Sequence, residues 1–452
     1  MSFGLKSALS SYASATKKVR QTVNAVIDEN SFVELDAFMG GANELGQIRG
    51  EGVYCGLASV DDRDVAVVAM NPEVFSGGIS KRGAEKIVRL VKRACDASLP
   101  LLTFIDSAGA RVLEGVDALY GYDLILNAYS KAYGNIPVIT AVTGKCFGMT
   151  AYLAGLSDMF VCVEKAKIST SSPLILTGDD TKDCSGAKNH YKTSGAVTNL
   201  VKDETELRGI IMTALEDLCD VVSYSEDDPN RVCEKLSARS SVKDVLAEAF
   251  DAGSVLELRG GIAKEVTTAF AKLNGITVAV VGVDGRLSAK GAAKITDFIN
   301  TADNAGIPVV NLVNSTGIII DAGQENCCLI RNVSDMIYAY NNISVPKIAL
   351  ICGKAIGAAY SVLASKTSCD YTVAWDVAVI SPMEKDSAAY MLYGKDIARA
   401  KDPAAAERKF AAKYSGENSA MTAAEKGYVD TVIVPNHSRQ YLIAALQTMV
   451  KR

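Results

Sequence analysis

Short, almost wholly apolar runs alternate along this chain with longer stretches in which apolar residues return every three or four positions. Residues 53–60 and 65–70 are apolar runs joined by Asp61-Asp62-Arg63, which predicts two strands in a hairpin. Residues 83–97 carry the helical spacing, and 101–105 and 138–142 are continuous apolar runs of the kind expected of strands covered on both faces. The order then returns. Asn274-Gly275, a strong hairpin dipeptide, precedes an apolar run at 276–281, a helical stretch at 291–305, and apolar runs at 309–313 and 348–351. Such alternation predicts an α/β fold with largely parallel pairing.

The recurrence extends to single residues. Ser80-Lys81-Arg82-Gly83-Ala84-Glu85-Lys86-Ile87 returns 208 positions later as Ser288-Ala289-Lys290-Gly291-Ala292-Ala293-Lys294-Ile295. In the same register Pro100 meets Pro308, and Asp106-Ser107-Ala108-Gly109-Ala110 meets Asn314-Ser315-Thr316-Gly317-Ile318. After a slip of one residue, Gly144-Lys145 and Gly148 meet Gly353-Lys354 and Gly357. Ser31-Phe32-Val33-Glu34-Leu35 resembles Ser254-Val255-Leu256-Glu257-Leu258. The chain is a tandem duplication of a domain of about 200 residues. Residues 204–237 read as helical apart from the polar break Glu226-Asp227-Asp228-Pro229-Asn230, the expected linker. This places the domains at 1–235 and 236–452. Residues 396–414 are expected to form one long exposed helix.

Composition narrows the function classes. Charged residues make up 22% of the 452 and hydrophobic ones 49%, which suits two ordinary cores. A net charge of -5 without a basic arm argues against nucleic-acid binding, and no apolar run reaches membrane-spanning length. Eleven cysteines without a Cys-x-x-Cys pair suggest free thiols in a reducing compartment, and a cytoplasmic location is expected. The adjacent Cys327-Cys328 are expected to be packed helix residues. The first 27 residues lack acids, as a transit peptide does; an amphipathic helix over about 5–27 is the favoured reading.

Two glycine turns, each following a strand, recur in both halves. One is Asp106-Ser107-Ala108-Gly109-Ala110-Arg111 with Asn314-Ser315-Thr316-Gly317-Ile318; the other is Gly144-Lys145-Cys146-Phe147-Gly148-Met149-Thr150 with Gly353-Lys354-Ala355-Ile356-Gly357-Ala358-Ala359. Backbone N–H groups at such turns can converge on developing negative charge, although glycine also punctuates loops for purely structural reasons. There are only two histidines, His190 and His437, and no zinc-protease, nucleophile-elbow, phosphate-loop or metal-ligand pattern, so no metal is expected. His190 by itself reads as a structural hydrogen-bonding residue.

These residues resemble the carboxyltransferase subunits of biotin-dependent acyl-CoA carboxylases and decarboxylases, such as the beta subunit of propionyl-CoA carboxylase. The resemblance runs from about Val23 to the C-terminus. It rests on Phe75-Ser76-Gly77-Gly78, Asp106 to Arg111 with Glu114-Gly115, Gly121-Tyr122, Gly186-Ala187-Lys188-Asn189-His190 with Ser194-Gly195, Gly353 to Tyr360, Ala374-Trp375 and Ala423 to Asp430. It implies two crotonase-like β-β-α spiral domains. The first would hold the acyl-CoA, its thioester carbonyl against amides of Gly148, Met149 and Thr150, with Gly109-Ala110 as companion and Gly77, Gly78 among the substrate-binding residues. The second, supplied by a neighbouring subunit, would hold carboxybiotin against amides of Gly357, Ala358 and Ala359, with Gly317-Ile318 close by. Carboxybiotin would lose CO2, the biotin nitrogen would take the acyl α-proton, and the enolate would attack CO2.

No Met-Lys-Met biotinylation site is present, so biotin is expected on a separate carrier or biotin carboxylase subunit. A homo-hexamer, a trimer of dimers, is expected by the same resemblance. The sequence departs from the family at Met149, where glycine is usual, at Asn314 in place of an acid, and in Ser381-Pro382-Met383-Glu384-Lys385-Asp386. Ser361 stands at a position linked to acyl preference in some members. The alternatives are a decarboxylase component, a hydratase or thioesterase, and a non-catalytic scaffold.

Overall fold

The computed structural model describes residues 12–43, 46–176, 184–414 and 418–450. They form two compact units, divided between Cys219 and Asp220. In the first, seven strands run in the order Val33–Glu34, Val53–Val60, Arg63–Met70, Leu101–Ser107, Val138–Phe147, Met159–Val163, Asn199–Val201; an eighth, Lys167–Ser169, pairs with the end of Val138–Phe147. The second repeats this order with Leu256–Leu258, Val266–Leu273, Ile276–Leu287, Val309–Ile318, Lys347–Ile356, Tyr371–Trp375 and Thr431–Ile433, and Val379–Ser381 as its eighth strand. In each unit the first two pairings are antiparallel and the rest parallel. Helices cover the faces, which is why the central strands are apolar at nearly every position.

The local devices are duplicated too. Ser80 and Ser288 cap their helices, each hydroxyl accepting the N–H three residues on, from Gly83 at 2.9 Å and Gly291 at 3.0 Å. Asp61 and Asp62 both take positive φ, as do Asn274 and Gly275, which closes each hairpin in two residues. One carboxylate caps both turn amides in each unit: Asp28 accepts Asp61 and Asp62 N–H, and Asp251 accepts Asn274 and Gly275 N–H. An arginine holds each carboxylate, Arg208 on Asp28 at 2.8 Å and Arg439 on Asp251 at 2.7 Å. A further ion pair recurs with its charges exchanged. Arg89 faces Asp36 at 3.8 Å, whereas at the matching positions Asp297 faces Arg259 at 2.9 Å.

Four expectations are corrected. Residues 220–235 belong with the second unit, so the division precedes the expected 235/236 boundary; Cys233 is buried in the second core and Val222 bridges to Ile276. The helical pattern at 204–237 is realised only as Glu204–Cys219, and the polar break is no free linker, because Asp227 and Asp228 are bound by Arg231 and Arg439. The long helix at 396–414 is two, Lys385–Arg399 and Pro403–Tyr414. Proline, which disfavours a helical residue before it, opens the second, and Tyr393 stacks on Phe410 with ring centroids 4.3 Å apart. Cys327 and Cys328 are exposed, and Cys328 (φ 61°) flanks rather than joins the helix Leu329–Asn342. At the N-terminus Lys17–Asn24 is helical with Val19 and Val23 buried; residues 1–11, which include the start of the expected helix and of the transit-like segment, lie outside the described ones. Among the described residues no helix is long and apolar enough to cross a membrane.

Asp158 shows a cost of this packing. Its carboxyl accepts Val138 N–H at 2.8 Å, but burial dominates and pushes its pKa up to about 7. The folded state therefore holds this proton more tightly than the unfolded chain, and stability falls as pH rises from about 4 to about 7. Asp158→Asn is expected to abolish that slope, worth roughly 2–4 kcal/mol. Urea denaturation of both proteins across this range checks it; parallel pH profiles would reject the assignment.

Candidate active site

The strand Val138–Phe147 ends at Gly148, where φ is 65° and ψ is −137°, backbone angles that glycine alone tolerates without strain. A Cβ placed there would meet nothing within 4 Å, so the space above this residue is open. The Gly148 N–H donates to Ser169 O at 3.0 Å. The helix Met149–Gly155 begins at the next residue, and Ala151 N–H donates to Gly148 O at 3.1 Å. Met149 and Thr150 N–H are left without an acceptor among the described residues, as first-turn amides of a helix are. The Met149 side chain packs, partly buried, against the core of its unit.

The companion turn abuts this one. Gly109 (φ 106°) lies so close that a Cβ on it would sit 3.0 Å from Phe147 O. Its N–H donates to Ser107 Oγ at 3.1 Å. Ala110 forms a parallel bridge with Ile79, whose N–H donates to Gly109 O and whose carbonyl accepts Arg111 N–H. Ala110 N–H therefore points away from that neighbour, and no described residue accepts it. Gly77 and Gly78, expected to bind substrate, lie buried behind the turn: a Cβ on Gly77 would lie 2.0 Å from Asp106 O, and Gly78 O accepts the Arg111 Nε–H at 3.0 Å. Arg111, itself buried, bonds the Glu51 carboxylate and carbonyl, both at 2.8 Å, and lies over the Phe75 ring. Ser80 Oγ donates to the same carboxylate at 2.9 Å. This anchoring of the turn was hidden in the sequence, because Glu51 stands 60 residues from Arg111 in no recognisable motif.

The second unit repeats the arrangement. Gly357 (φ 56°, ψ −127°) donates its N–H to Ser381 O at 2.9 Å, and Ser361 N–H closes on Gly357 O at 3.1 Å. Ala358 and Ala359 N–H remain unbonded among the described residues. Gly317 (φ 97°) would bring a Cβ to 3.3 Å from Ile356 O, and its N–H donates to Ser315 Oγ at 3.2 Å. Ile318 pairs with Leu287 as Ala110 pairs with Ile79, and Ile319 N–H donates to Leu287 O. The change from Asp106 to Asn314 keeps the geometry: each side-chain Oδ1 accepts the N–H of the following strand, Lys145 or Lys354, at 3.0 Å. Ser361 is exposed, its hydroxyl on Gly357 O at 3.3 Å. A cavity of about 400 Å³ opens beside Ile356 and Ser381, walled by Lys354, Met383, Glu384 and Asn418.

The structure divides the turn amides into bonded and unbonded ones. Gly148, Gly357, Gly109 and Gly317 spend their own N–H groups on neighbouring acceptors, so these glycines shape the turns. The turn amides without an acceptor among the described residues are those of Met149, Thr150 and Ala110 in one unit and Ala358, Ala359 and Ile318 in the other. His190 bonds Ile168 O through Nε2 and Ser194 Oγ through Nδ1, both at 3.0 Å. It steadies the strand whose Ser169 carbonyl fixes Gly148. Among the described residues no group of three or more acids, histidines and cysteines could hold a metal.

The fold and the sequence of this chain are shared with known proteins. The sequence profile of the carboxyl transferase domain matches residues 10–452. The chain belongs to the carboxyl transferase family. The propionyl-CoA carboxylase carboxyltransferase subunit of Haloferax mediterranei is 31% identical, the match covering 95% of this chain and 90% of that protein. The methylmalonyl-CoA decarboxylase alpha subunit of Veillonella parvula is 30% identical over 98% and 91% of the two chains. The crystal structure of the transcarboxylase 12S hexamer, with methylmalonyl-CoA and methylmalonic acid bound, superposes with a TM-score of 0.90 at 28% identity, covering 98% of this carboxyl transferase and 92% of that chain. Both units are crotonase-like α/β domains, as the sequence resemblance implied.

Proposed function

We propose that this chain moves a carboxyl group between carboxybiotin, borne on a separate carrier, and a short acyl-CoA such as acetyl-CoA or propionyl-CoA. The observation that carries the reading is the repeated turn, in which a glycine bonded to a neighbouring strand leaves the next amides unbonded in both copies. Carboxybiotin, when bound, supplies CO2 and the base that takes the acyl α-proton. The chain's own part is electrostatic. Met149 N–H, with Thr150 and Ala110 beside it, meets the thioester oxygen as it gains negative charge; Ala358 N–H, with Ala359 and Ile318, meets the ureido oxygen. Amides fixed in advance stabilise such charge without reorganising, which is why no acid, histidine or metal is required of the protein.

The unit that holds acyl-CoA meets the biotin-holding unit of a neighbouring copy, and six copies assemble as a trimer of dimers. The apolar side chains beside the first turn support a covering partner: Val112, Leu113 and Val116 are 84, 95 and 81% exposed, and Ile320 beside the second is 80% exposed. Light scattering is expected to give the hexamer; a stable, active monomer would rule out a site shared between copies.

The deciding experiment is exchange of radiolabelled carboxyl between malonyl-CoA or methylmalonyl-CoA and free biotin. Label in biotin that depends on this chain supports the transferase in either direction of flux. A correctly assembled protein that transfers none is a scaffold. Mass spectrometry of the purified chain is expected to show no covalent biotin.

A further inference from the structure

One feature of the first copy differs in charge from the matching place in the second. The helix Lys81–Asp96 runs back from the turn-bearing ends of the parallel strands, so its last two turns lie at the opposite end of the sheet. There a cleft of about 420 Å³ opens between this helix and the edge strands, floored by Leu35, Cys55 and Leu90. Lys86, Arg89, Lys92 and Arg93 line it against two carboxylates, Asp36 and Asp96. Lys86 is 1% exposed, and its ammonium has one acceptor among the described residues, Val53 O at 2.7 Å. Arg89 reaches Asp36 only at 3.8 Å, and the side chains of Lys92 and Arg93 have no partner among the described residues. Glu34, the other carboxylate whose field Lys86 feels, is already engaged by Tyr12 and Arg20.

The second copy shows what this place looks like without excess charge. Lys294, the match of Lys86, bonds two carbonyls, Ile262 O at 3.2 Å and Val266 O at 2.6 Å. Asp297, Asn300 and Thr301 stand where Arg89, Lys92 and Arg93 do, and Asp297 is closed off by Arg259 at 2.9 Å. One framework therefore carries Lys86, Arg89, Lys92 and Arg93 against Asp36 and Asp96 in the first unit, and Lys294 and Arg259 against Asp297 in the second. A solvated helix face needs neither a cleft nor a buried, under-bonded ammonium at its floor.

We propose that this cleft is a binding site for a diphosphate-bearing small anion, separate from the glycine turns. Arg89 and Arg93 offer guanidinium forks for phosphate oxygens, Lys92 closes from the rim, and Lys86 presents its spare N–H groups from below. The two positive charges in excess set the ligand class at a dianion or higher. The site is independent of the carboxyl-transfer reading.

The test is isothermal titration of the full-length protein with inorganic pyrophosphate at low ionic strength. Saturable binding is expected, and Lys92→Ala/Arg93→Ala is expected to weaken it about tenfold or more, since each removes a charge-assisted contact. Both side chains are exposed, so the variant should melt like the wild type. The charge-matched control Lys395→Ala/Lys401→Ala should bind as the wild type does. The KM for acyl-CoA should stay within about twofold, which tells a free diphosphate from the diphosphate of coenzyme A. The proposal is overturned by an absence of saturable binding, by equal weakening in the control, or by an acyl-CoA KM that rises in step with the lost pyrophosphate affinity.

Discussion

Met149→Pro is expected to lower carboxyl exchange about 100-fold or more, the usual effect of losing one oxyanion donor. The position is favourable for the test. Met149 is the first residue of its helix, where proline is tolerated because that amide has no helical partner to lose. The bond from Gly148 N–H to Ser169 O, on which the turn depends, stays intact, whereas proline at 148 itself would remove it and demand a negative φ. Ala358→Pro does the same in the second unit. The two should be separable: Met149→Pro raises KM for acyl-CoA more than for free biotin, and Ala358→Pro the reverse. Met149→Gly keeps the amide and restores the residue usual in the family, so it should preserve turnover and widen the range of acyl groups accepted. If both proline variants assembled and melted normally yet exchanged label at the wild-type rate, the unbonded amides would not be the donors, and the scaffold would be the better reading.

Why the glycines were legible and the unbonded amides were not follows from what each depends on. A φ of 65° at Gly148 or 56° at Gly357 is a local demand that excludes most residues, so it leaves a mark in the sequence, and the duplication prints that mark twice. Which amide is left free is decided elsewhere, by the Ser169 and Ser381 carbonyls that reach Gly148 and Gly357 from separate strands. The strands were readable because burial on both faces leaves little room for polar residues. The domain boundary was misread for the opposite reason. Glu226 to Asn230 has the composition of a solvated linker, and partners distant in sequence, Arg439 and Gln440 some two hundred residues on, help make it part of a packed unit. The ion pair that exchanges its charges shows the same limit. Asp36 and Arg259 look unrelated until the fold sets each against position 89 or 297.

Arg439→Met is expected to cost about 3–5 kcal/mol, the largest stability effect among the variants considered, because it leaves a buried carboxylate without its cation. Arg439 has a fully buried side chain; it bonds Asp251 at 2.7 Å and the Ala249 and Asp228 carbonyls at 2.9 Å each. Burial alone would raise the Asp251 pKa. Hydrogen bonds from Gly275, Ser225, Arg439 and Asn274 outweigh it and hold the carboxyl below its usual value. A depressed folded-state pKa contributes stability above the unfolded value, near 4, and loses it as pH falls through the folded value. Removing the arginine hands Asp251 back to burial, so the variant should suffer most at neutral pH. Its deficit should shrink as acid neutralises the carboxyl. Denaturant melts of wild type and Arg439→Met at pH 7 and near pH 4 measure this directly. A deficit equally large at both would mean that Arg439 acts through packing and its carbonyl bonds alone. Asp251→Asn supplies the complement: it can keep an acceptor for the hairpin amides while discarding the charge, so it should cost less than Arg439→Met at neutral pH and show little pH dependence of its own.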